Sequence, residues 1–504
     1  MSEKFKYILK SFSWGLLSKV LDAAIKVVTV PLLLSYFGKE DFGLITLAIS
    51  VNAYLQLLDL GMNTGAVKYF SGWIDNKKFI LLDLVSRTAI SFYGIIGIVN
   101  AIVLIAVAFG GINYLGLKDQ QVQLMQVMLL ILAALAILNW SSSVFNQLLV
   151  ANQKIAIVQQ VLVIRSLFSL LLVYFTINQK LGIVDYFLWF SIINSLQLIP
   201  LAVIAKKDGL IKNFLPSFNW KLFRPVLKYS LSIIAIGVFS MTATKMRPVI
   251  LSIYCNEGVG IVTEFRIMET ITLFIISIGG MLIKIFLPMS TKIIQNNNTK
   301  EMSFFAQNTT FYTSIICVML CFPIIINARE IISIYVGKEF SDLSIWLIIW
   351  VYTIVAYLHN SPVSSLVLAS GKTKMLIISS GISCVLSLVL NALLSNIYGV
   401  GSAIIGYGLY IFIQMSFYYL YFNTKVLRLN SKAIFVSFIV PFLCGIFPVL
   451  LINGNINFPC LYINILVKTS IWFVLFVVLL LAANKVMGIG ELNLSILKRD
   501  EPLV

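Results

Sequence analysis

The stretch PLLLSYFGKEDFGLIT at residues 31–46 recurs 217 residues later as PVILSIYCNEGVGIVT at residues 248–263. The two stretches align without a gap, and the identical pairs are Pro31 and Pro248, Leu34 and Leu251, Ser35 and Ser252, Glu40 and Glu257, Gly43 and Gly260, and Thr46 and Thr263. Chance similarity between two apolar segments is the alternative, but apolar composition does not supply the shared Pro, Glu and Gly. The pattern therefore favours an internal repeat.

The composition indicates a protein that is solvated by lipid. The chain has 504 residues, of which 60% are hydrophobic and only 11% are charged, and its mean hydropathy is +0.97. Soluble domains carry about 25% charged residues. The six cysteines form no CxxC pair, so the sequence predicts no disulfide framework and no metal site.

The apolar runs are long enough to cross a membrane as helices. A spanning helix needs about 20 mostly apolar residues, and the runs do not alternate as barrel strands do. We predict fourteen spans, at about 13–37, 43–62, 80–108, 123–150, 155–178, 183–205, 228–255, 259–288, 303–327, 343–370, 374–396, 399–423, 433–453 and 460–484.

The basic residues between these spans predict the orientation of the chain. Loops on one predicted side hold 23 Lys and Arg residues, whereas the opposite loops hold five. Because cytoplasmic loops collect Lys and Arg, both termini are expected in the cytoplasm. The formal net charge of +17 is then explained by the basic residues of the cytoplasmic loops. It predicts some attraction to anionic membrane lipids. It does not predict nucleic-acid binding.

The repeat predicts an all-α membrane fold with two similar halves. Six spans separate the two copies, so both copies cross the membrane in the same direction, as parallel repeats do. We expect two parallel six-helix lobes around a central cavity, followed by two C-terminal helices. The predicted divisions are 1–213 for helices 1–6, 214–425 for helices 7–12, and 426–504 for helices 13–14 with a cytoplasmic tail.

Several charged residues lie inside the predicted spans. Lys19, Asp22 and Lys26 share one face of the first helix. Each charge costs at least about 2.5–3.5 kcal/mol at the bilayer centre, so this face is expected to meet water or protein. Two readings stay open: the charges line an anion-binding cavity, or they pair with one another for structural reasons.

The seventh and eighth spans carry a second group of charges. Lys245 and Arg247 point in different directions on an ideal helix, but Pro248 makes a local break plausible. Arg266 and Glu269 share a face of the next span, and Glu264 is close by. The basic surplus favours an anionic ligand, and phosphate oxygens suit Arg well.

Three stretches resemble the oligosaccharide flippases of the multidrug/oligosaccharidyl-lipid/polysaccharide exporter superfamily. They are LLDLGMNTGAVKYFS at 57–71, VPLLLSYFGKEDFGLITLA at 30–48 and GVGIVTEFRIMETI at 258–271. The resemblance implies a bacterial inner-membrane protein that moves polyprenyl-diphosphate-linked oligosaccharide by alternating access for O-antigen or capsule assembly. It implies a transporter and not an enzyme. No cofactor is expected, coupling to a proton or sodium gradient stays open, and polysaccharide polymerase and chain-length proteins are candidate partners.

The resemblance also implies roles for the buried bases. Lys19, Lys26 and Arg266 would meet the diphosphate, with Lys245 and Arg247 assisting or binding acidic sugars. Candidate counter-ions or coupling residues are Asp22, Asp59, Glu264, Glu269 and His359. One departure puts the local role of Arg247 in doubt, because members often have an acid where this chain has Met246.

Two of these candidates have plain structural alternatives. Asp59 could cap the second helix, and His359 could be a hydrogen-bonded interior side chain. Two other functions also stay open for the whole chain. A cation-coupled multidrug exporter would be expected to carry more acids in its cavity, and a membrane polysaccharide polymerase or ligase would be expected to carry a large external loop.

Overall fold

The computed structural model describes residues 3–59, 61–296, 298–372, 374–452 and 460–487. Regular structure in these residues is entirely helical. The α-helices are α1 (Glu3–Leu55), α2 (Met62–Asp75), α3 (Phe79–Ala106), α4 (Asp119–Ala151), α5 (Ile155–Gln179), α6 (Ile183–Leu196), α7 (Leu198–Lys207), α8 (Trp220–Lys245), α9 (Arg247–Tyr254), α10 (Gly260–Gln295), α11 (Thr299–Ile326), α12 (Ala328–Tyr335), α13 (Leu343–Leu358), α14 (Ser361–Ala369), α15 (Lys374–Tyr398), α16 (Gly401–Phe417), α17 (Ser431–Ile452) and α18 (Leu461–Met487).

The helices are those of a multi-pass membrane protein, which confirms the predicted fold class. Ten helical segments of the described chain are long and apolar enough to cross a membrane, or eleven if the bent pair α13 and α14 is one span. The predicted seventh and eighth spans are helical but are not among them. The predicted count of fourteen spans therefore stays a prediction, and the expected tail after residue 487 lies outside the described residues.

The first two predicted spans run together as α1. Gly38 has a non-helical backbone inside α1, with φ of 80° and ψ of 171°, and separates the two predicted segments. A positive φ of this size favours glycine because a Cβ atom would be crowded. The predicted break near Pro248 is also present, since α8 ends at Lys245 and α9 begins at Arg247 with a proline in its first turn.

The chain divides into two compact units, and the first is Met1–Phe274 with Ser380–Tyr410. The hydrophobic core of this unit joins α2, α3, α4, α5, α7 and α8, and its fully buried aromatic side chains include Phe70, Tyr93 and Phe223. Gly61, which follows the described residues 3–59 after one position, lies at the contact between α2 and α8. Gly61 has φ of 70°, and a Cβ there would lie 2.6 Å from the carbonyl oxygen of Ser230, so only glycine fits.

The second unit is Ile275–Ser379 with Ile411–Val504. One core cluster of this unit contains Phe305, Val363, Leu376, Phe422 and Ile434, which come from α11, α14, α15, the π-helical segment Tyr418–Val426 and α17. The predicted lobe boundaries at 213/214 and 425/426 stay predictions.

The two copies of the sequence repeat contact each other within the first unit. The hydroxyl of Thr263 donates a hydrogen bond of 2.6 Å to the carbonyl oxygen of Lys39, and the ammonium of Lys39 pairs with Glu264. A Cβ atom on Gly43 would lie 2.5 Å from the carbonyl oxygen of Val259. The repeated glycine is therefore needed for the close approach of one copy to the other.

Replacing Gly43 by Ala is expected to lower the thermal unfolding midpoint of the detergent-solubilised protein. The new methyl group can be accommodated only if the backbone near Val259 shifts, and overpacking of this kind typically costs about 1–3 kcal/mol. The matched control is Gly94→Ala on α3, where a Cβ has no heavy atom within 4 Å. Equal midpoints for both variants would show that the contact between the copies is loose.

Candidate functional site

Three of the predicted basic residues lie around one carboxylate in the first unit. Arg266 and Glu269, one turn apart on α10, form an ion pair with 2.6 Å between Nη1 and Oε2. The positive charges of Lys245 and Arg247 also act on the carboxylate of Glu269. The two bases on either side of the break between α8 and α9 thus act on the same carboxylate.

Among the residues that the structure describes, Arg247 is held in place without a carboxylate in direct contact. Its side chain is 3% exposed, its Nε donates a 2.8 Å hydrogen bond to the carbonyl oxygen of Ala243, and its guanidinium carbon lies 4.0 Å from the ring centroid of Tyr407. Its Nη2 has no hydrogen-bond partner among the described residues. A buried guanidinium nitrogen without a partner is a ready donor for a ligand oxygen.

The group formed by Lys245, Arg247, Arg266 and Glu269, here called the basic cluster, has three positive charges and one negative charge. Within the described part of the chain, Lys245 has no carboxylate within ion-pair distance. In a low-dielectric setting, such a surplus favours an anion. The cluster can therefore neutralise a strongly acidic group that enters it.

The predicted charges of the first helix form a separate group. Lys26 pairs with Asp22 at 2.7 Å, and the other oxygen of Asp22 accepts a 3.3 Å hydrogen bond from the hydroxyl of Ser166 on α5. Lys19 is exposed on α1. The structure thus pairs Lys26 with its predicted counter-ion. Lys19 carries the second positive charge of this group.

The first unit also contains a pocket of about 530 Å³ lined mostly by polar side chains. Eight of the lining residues carry amide side chains, and they are Asn52, Gln56, Asn63, Asn100, Asn139, Asn146, Asn194 and Gln197. Ser142, Ser143 and Ser191 add hydroxyl groups, while Asp59 and Arg165 are the two charged lining residues. The pocket is rich in hydrogen-bonding groups but nearly balanced in charge.

Asp59 both caps a helix and lines this pocket. One carboxylate oxygen accepts a 3.2 Å hydrogen bond from the backbone N–H of Asn63 in the first turn of α2, as the capping interpretation expects. The other oxygen accepts a 2.6 Å hydrogen bond from the hydroxyl of Tyr93, which itself accepts one of 2.6 Å from the side-chain amide of Gln147. Asp59 can therefore cap α2 and also line the pocket.

Two predicted candidates lie away from the basic cluster and the pocket. Glu264 pairs with Lys39 at the contact between the repeat copies, so its role as a counter-ion or coupling residue stays a prediction. His359, in the second unit, is fully buried. Its Nε2 lies 2.9 Å from the hydroxyl of Tyr419, and its ring stacks on Phe438 with 3.8 Å between centroids. This placement matches the reading of His359 as a hydrogen-bonded interior side chain.

Sequence reasoning assigned no role to Arg165 or to the amide side chains of the pocket. Arg165 on α5 donates a 3.3 Å hydrogen bond to the side-chain oxygen of Gln197, and the charge of Asp22 acts on it. The available signal was the number of Asn and Gln residues inside apolar spans. Such amides are costly in lipid unless they face protein or water.

Comparison with known proteins places this fold among membrane transporters. The chain aligns with the structure of the lipid II flippase MurJ in an inward closed conformation with a TM-score of 0.73, covering 95% of this chain and 99% of that one at 16% identity. An inward-facing multidrug resistance transporter of the MATE family, in the MOP superfamily, aligns with a TM-score of 0.63, covering 86% and 96% of the two chains at 14% identity. The predicted transporter fold is thereby confirmed.

Sequence comparison gives a more limited match. A putative O-antigen transporter from Shigella flexneri is 28% identical over 140 residues, which is 27% of this chain and 33% of that relative. The chain thus matches a third of the relative's length. No family model matches the sequence. All three proteins are named as transporters or flippases and not as enzymes, in agreement with the prediction for this chain.

Proposed function

We propose that this protein is a flippase that moves polyprenyl-diphosphate-linked oligosaccharide across a bacterial inner membrane for O-antigen or capsular polysaccharide assembly. The observation that carries the proposal is the basic cluster, in which three cations share one carboxylate inside a membrane protein. Because isolated charges are expensive in this environment, the surplus is best explained by an anionic cargo. A diphosphate offers several oxygens that Arg and Lys bind strongly.

The likeness to known proteins supports the same reading. One solved protein with this fold is named as a lipid II flippase, and the partial relative is named as a putative O-antigen transporter. We assign Arg266, Lys26 and Lys19 to the diphosphate, with Lys245 and Arg247 assisting or binding acidic sugars. Both termini would be cytoplasmic, as the distribution of Lys and Arg predicts.

The proposal includes alternating access, with the contact between the two repeat copies as one of the contacts that opens and closes. Lys39, in a loop predicted to be external, forms this contact with Thr263 and Glu264 near the start of the predicted eighth span. Coupling to a proton or sodium gradient and association with a polymerase, chain-length proteins and anionic lipids are further parts of the proposal.

A cation-coupled multidrug exporter is the competing function, because a protein of that class shares the fold. A cationic drug would need an available carboxylate. In the polar pocket, Asp59 already accepts hydrogen bonds from Tyr93 and Asn63, and in the basic cluster Glu269 is outnumbered by cations. The distribution of charge therefore favours an anionic cargo.

A strain that lacks this gene tests the proposal. We expect polyprenyl-diphosphate-linked repeat units to accumulate at the cytoplasmic leaflet and surface polysaccharide to disappear, with both effects reversed by a plasmid copy. Loss of a polymerase or ligase would instead leave single repeat units on the external side. Unchanged surface polysaccharide together with greater drug sensitivity would favour the exporter.

A further inference from the structure

We propose that the polar pocket binds uncharged sugar residues of the cargo, separately from the site that holds its diphosphate. The inference rests on the proposed function and deepens it, because it assigns the glycan to one set of residues and the phosphates to another. The pocket volume of about 530 Å³ lies within the range of about 300–1,000 Å³ that is typical of small-molecule sites.

The lining of the pocket matches the chemistry of a neutral sugar. Each Asn or Gln side chain offers both donors and acceptors, and neighbouring sugar hydroxyls need both. Eight amides and three serine hydroxyls line the pocket. An inorganic anion would need donors alone, and a metal cation would need acceptors alone, so a mixed amide lining suits neither as well as it suits a polyol.

Two buried acceptors in the lining have no partner within the described protein. They are Oδ1 of Asn100, a residue that is 2% exposed, and Oγ of Ser191, a residue that is 3% exposed. Buried polar atoms normally have hydrogen-bond partners, and leaving one without a partner is costly. Two such atoms on residues that line one pocket leave hydrogen-bonding capacity for a ligand that the pocket receives.

The two charges of the lining are already engaged by protein groups. Asp59 accepts hydrogen bonds from Tyr93 and Asn63, and Arg165 donates to Gln197. Trp140 and Phe190 also line the pocket and supply aromatic surface against which the C–H face of a sugar ring can pack. Charge is thus balanced locally, while hydrogen-bonding capacity and aromatic surface remain for the ligand.

The pocket adjoins a charged group that can hold the rest of the cargo. Arg165 lines the pocket, and the next residue on α5, Ser166, donates a hydrogen bond to Asp22, the partner of Lys26. A lipid-linked sugar could therefore place its ring among the amides while its phosphates remain close to the bases of α1.

Asn100→Leu tests the inference, because Leu has nearly the same size but no polar atoms. If the unpartnered oxygen of Asn100 has no role in cargo binding, its removal leaves transport unchanged. If it binds sugar, we expect the unfolding midpoint to stay equal or rise, because an unsatisfied buried group is removed, while transport of a glycan falls. Ser191→Ala is a milder second variant, with a smaller loss expected.

The assay compares two lipids in proteoliposomes that contain the full-length protein. One is polyprenyl diphosphate without any sugar, and the other carries the complete repeat unit extracted from the deletion strain. For Asn100→Leu we expect the transport rate of the complete unit, relative to that of the sugar-free lipid, to fall at least tenfold. Asn423→Leu is the matched control, since the side-chain amide of Asn423 is also buried without partners but lies in the other compact unit.

The outcomes separate the inference from the function on which it rests. An unchanged ratio of the two rates in Asn100→Leu and Ser191→Ala, or an equal change in the Asn423→Leu control, would overturn the sugar assignment and leave the flippase proposal standing. A wild-type protein that moves neither lipid would refute the proposed function, and the inference would fall with it.

Discussion

Export of the lipid-linked cargo is expected to fall at least tenfold when Arg266 is replaced by Gln. The substitution removes one of the three positive charges that surround Glu269 and leaves the carboxylate to repel the phosphates. A hydrogen bond to a charged group is worth about 1.5–3 kcal/mol, and each 1.4 kcal/mol changes binding about tenfold. The measurement is the amount of surface polysaccharide in the deletion strain that expresses the variant, relative to the amount of protein in the membrane.

Two companion variants make this result specific. Arg224→Gln makes the same chemical change at an exposed position of α8 and is expected to leave export unchanged. Arg266→Lys keeps the charge but loses the planar guanidinium, so partial export is expected. Full export by Arg266→Gln at normal abundance would contradict the role of the basic cluster in cargo binding.

Replacing Glu330 by Gln is expected to destabilise the second unit strongly. Oε1 of Glu330 accepts hydrogen bonds of 2.7 Å from both the ammonium of Lys468 and the side-chain amide of Asn464. The side chains of Lys468 and Glu330 are only 8% and 12% exposed. Breaking a buried ion pair by removing one partner typically costs about 3–5 kcal/mol, because the remaining charge is uncompensated. The thermal unfolding midpoint of the purified protein measures this loss.

The double variant Glu330→Gln with Lys468→Met distinguishes a buried charge from a general packing defect. Removing both charges leaves no uncompensated ion, so the midpoint is expected to return most of the way to the wild-type value. A double variant as unstable as the single one would mean that the loss arises from packing. A single variant as stable as the wild-type protein would mean that Lys468 reaches water or lipid headgroups.

The sequence predicted the features of the molecule that depend on local pattern. Apolar runs gave the helices, and Pro248 next to Arg247 indicated the break between α8 and α9 that the structure contains. The capping role of Asp59 was also open to prediction, because the N–H that it binds belongs to Asn63, four residues later. Signals within one or two helical turns need no knowledge of the tertiary fold.

The remaining site features depend on residues that are far apart in sequence. Lys468 pairs with Glu330 across 138 positions, and Tyr93 reaches Asp59 across 34. The polar pocket draws its lining from α1 through α8, so no single stretch of sequence reveals it. Its amide side chains are uncharged, whereas the buried bases are recognisable in the sequence by their charge. Each amide is nevertheless unusual in a membrane helix.

The contact between the repeat copies has a consequence for the history of this chain. Gly43 of the first copy packs on the second copy at Val259, and Gly260 of the second copy meets the side chain of Lys39 in the first. Each copy thus places its repeated glycine against the other copy, as the two subunits of a two-fold symmetric homodimer can do through one shared surface. A half-length ancestor could therefore have assembled with a second copy of itself through this surface before gene fusion joined the partners into one polypeptide.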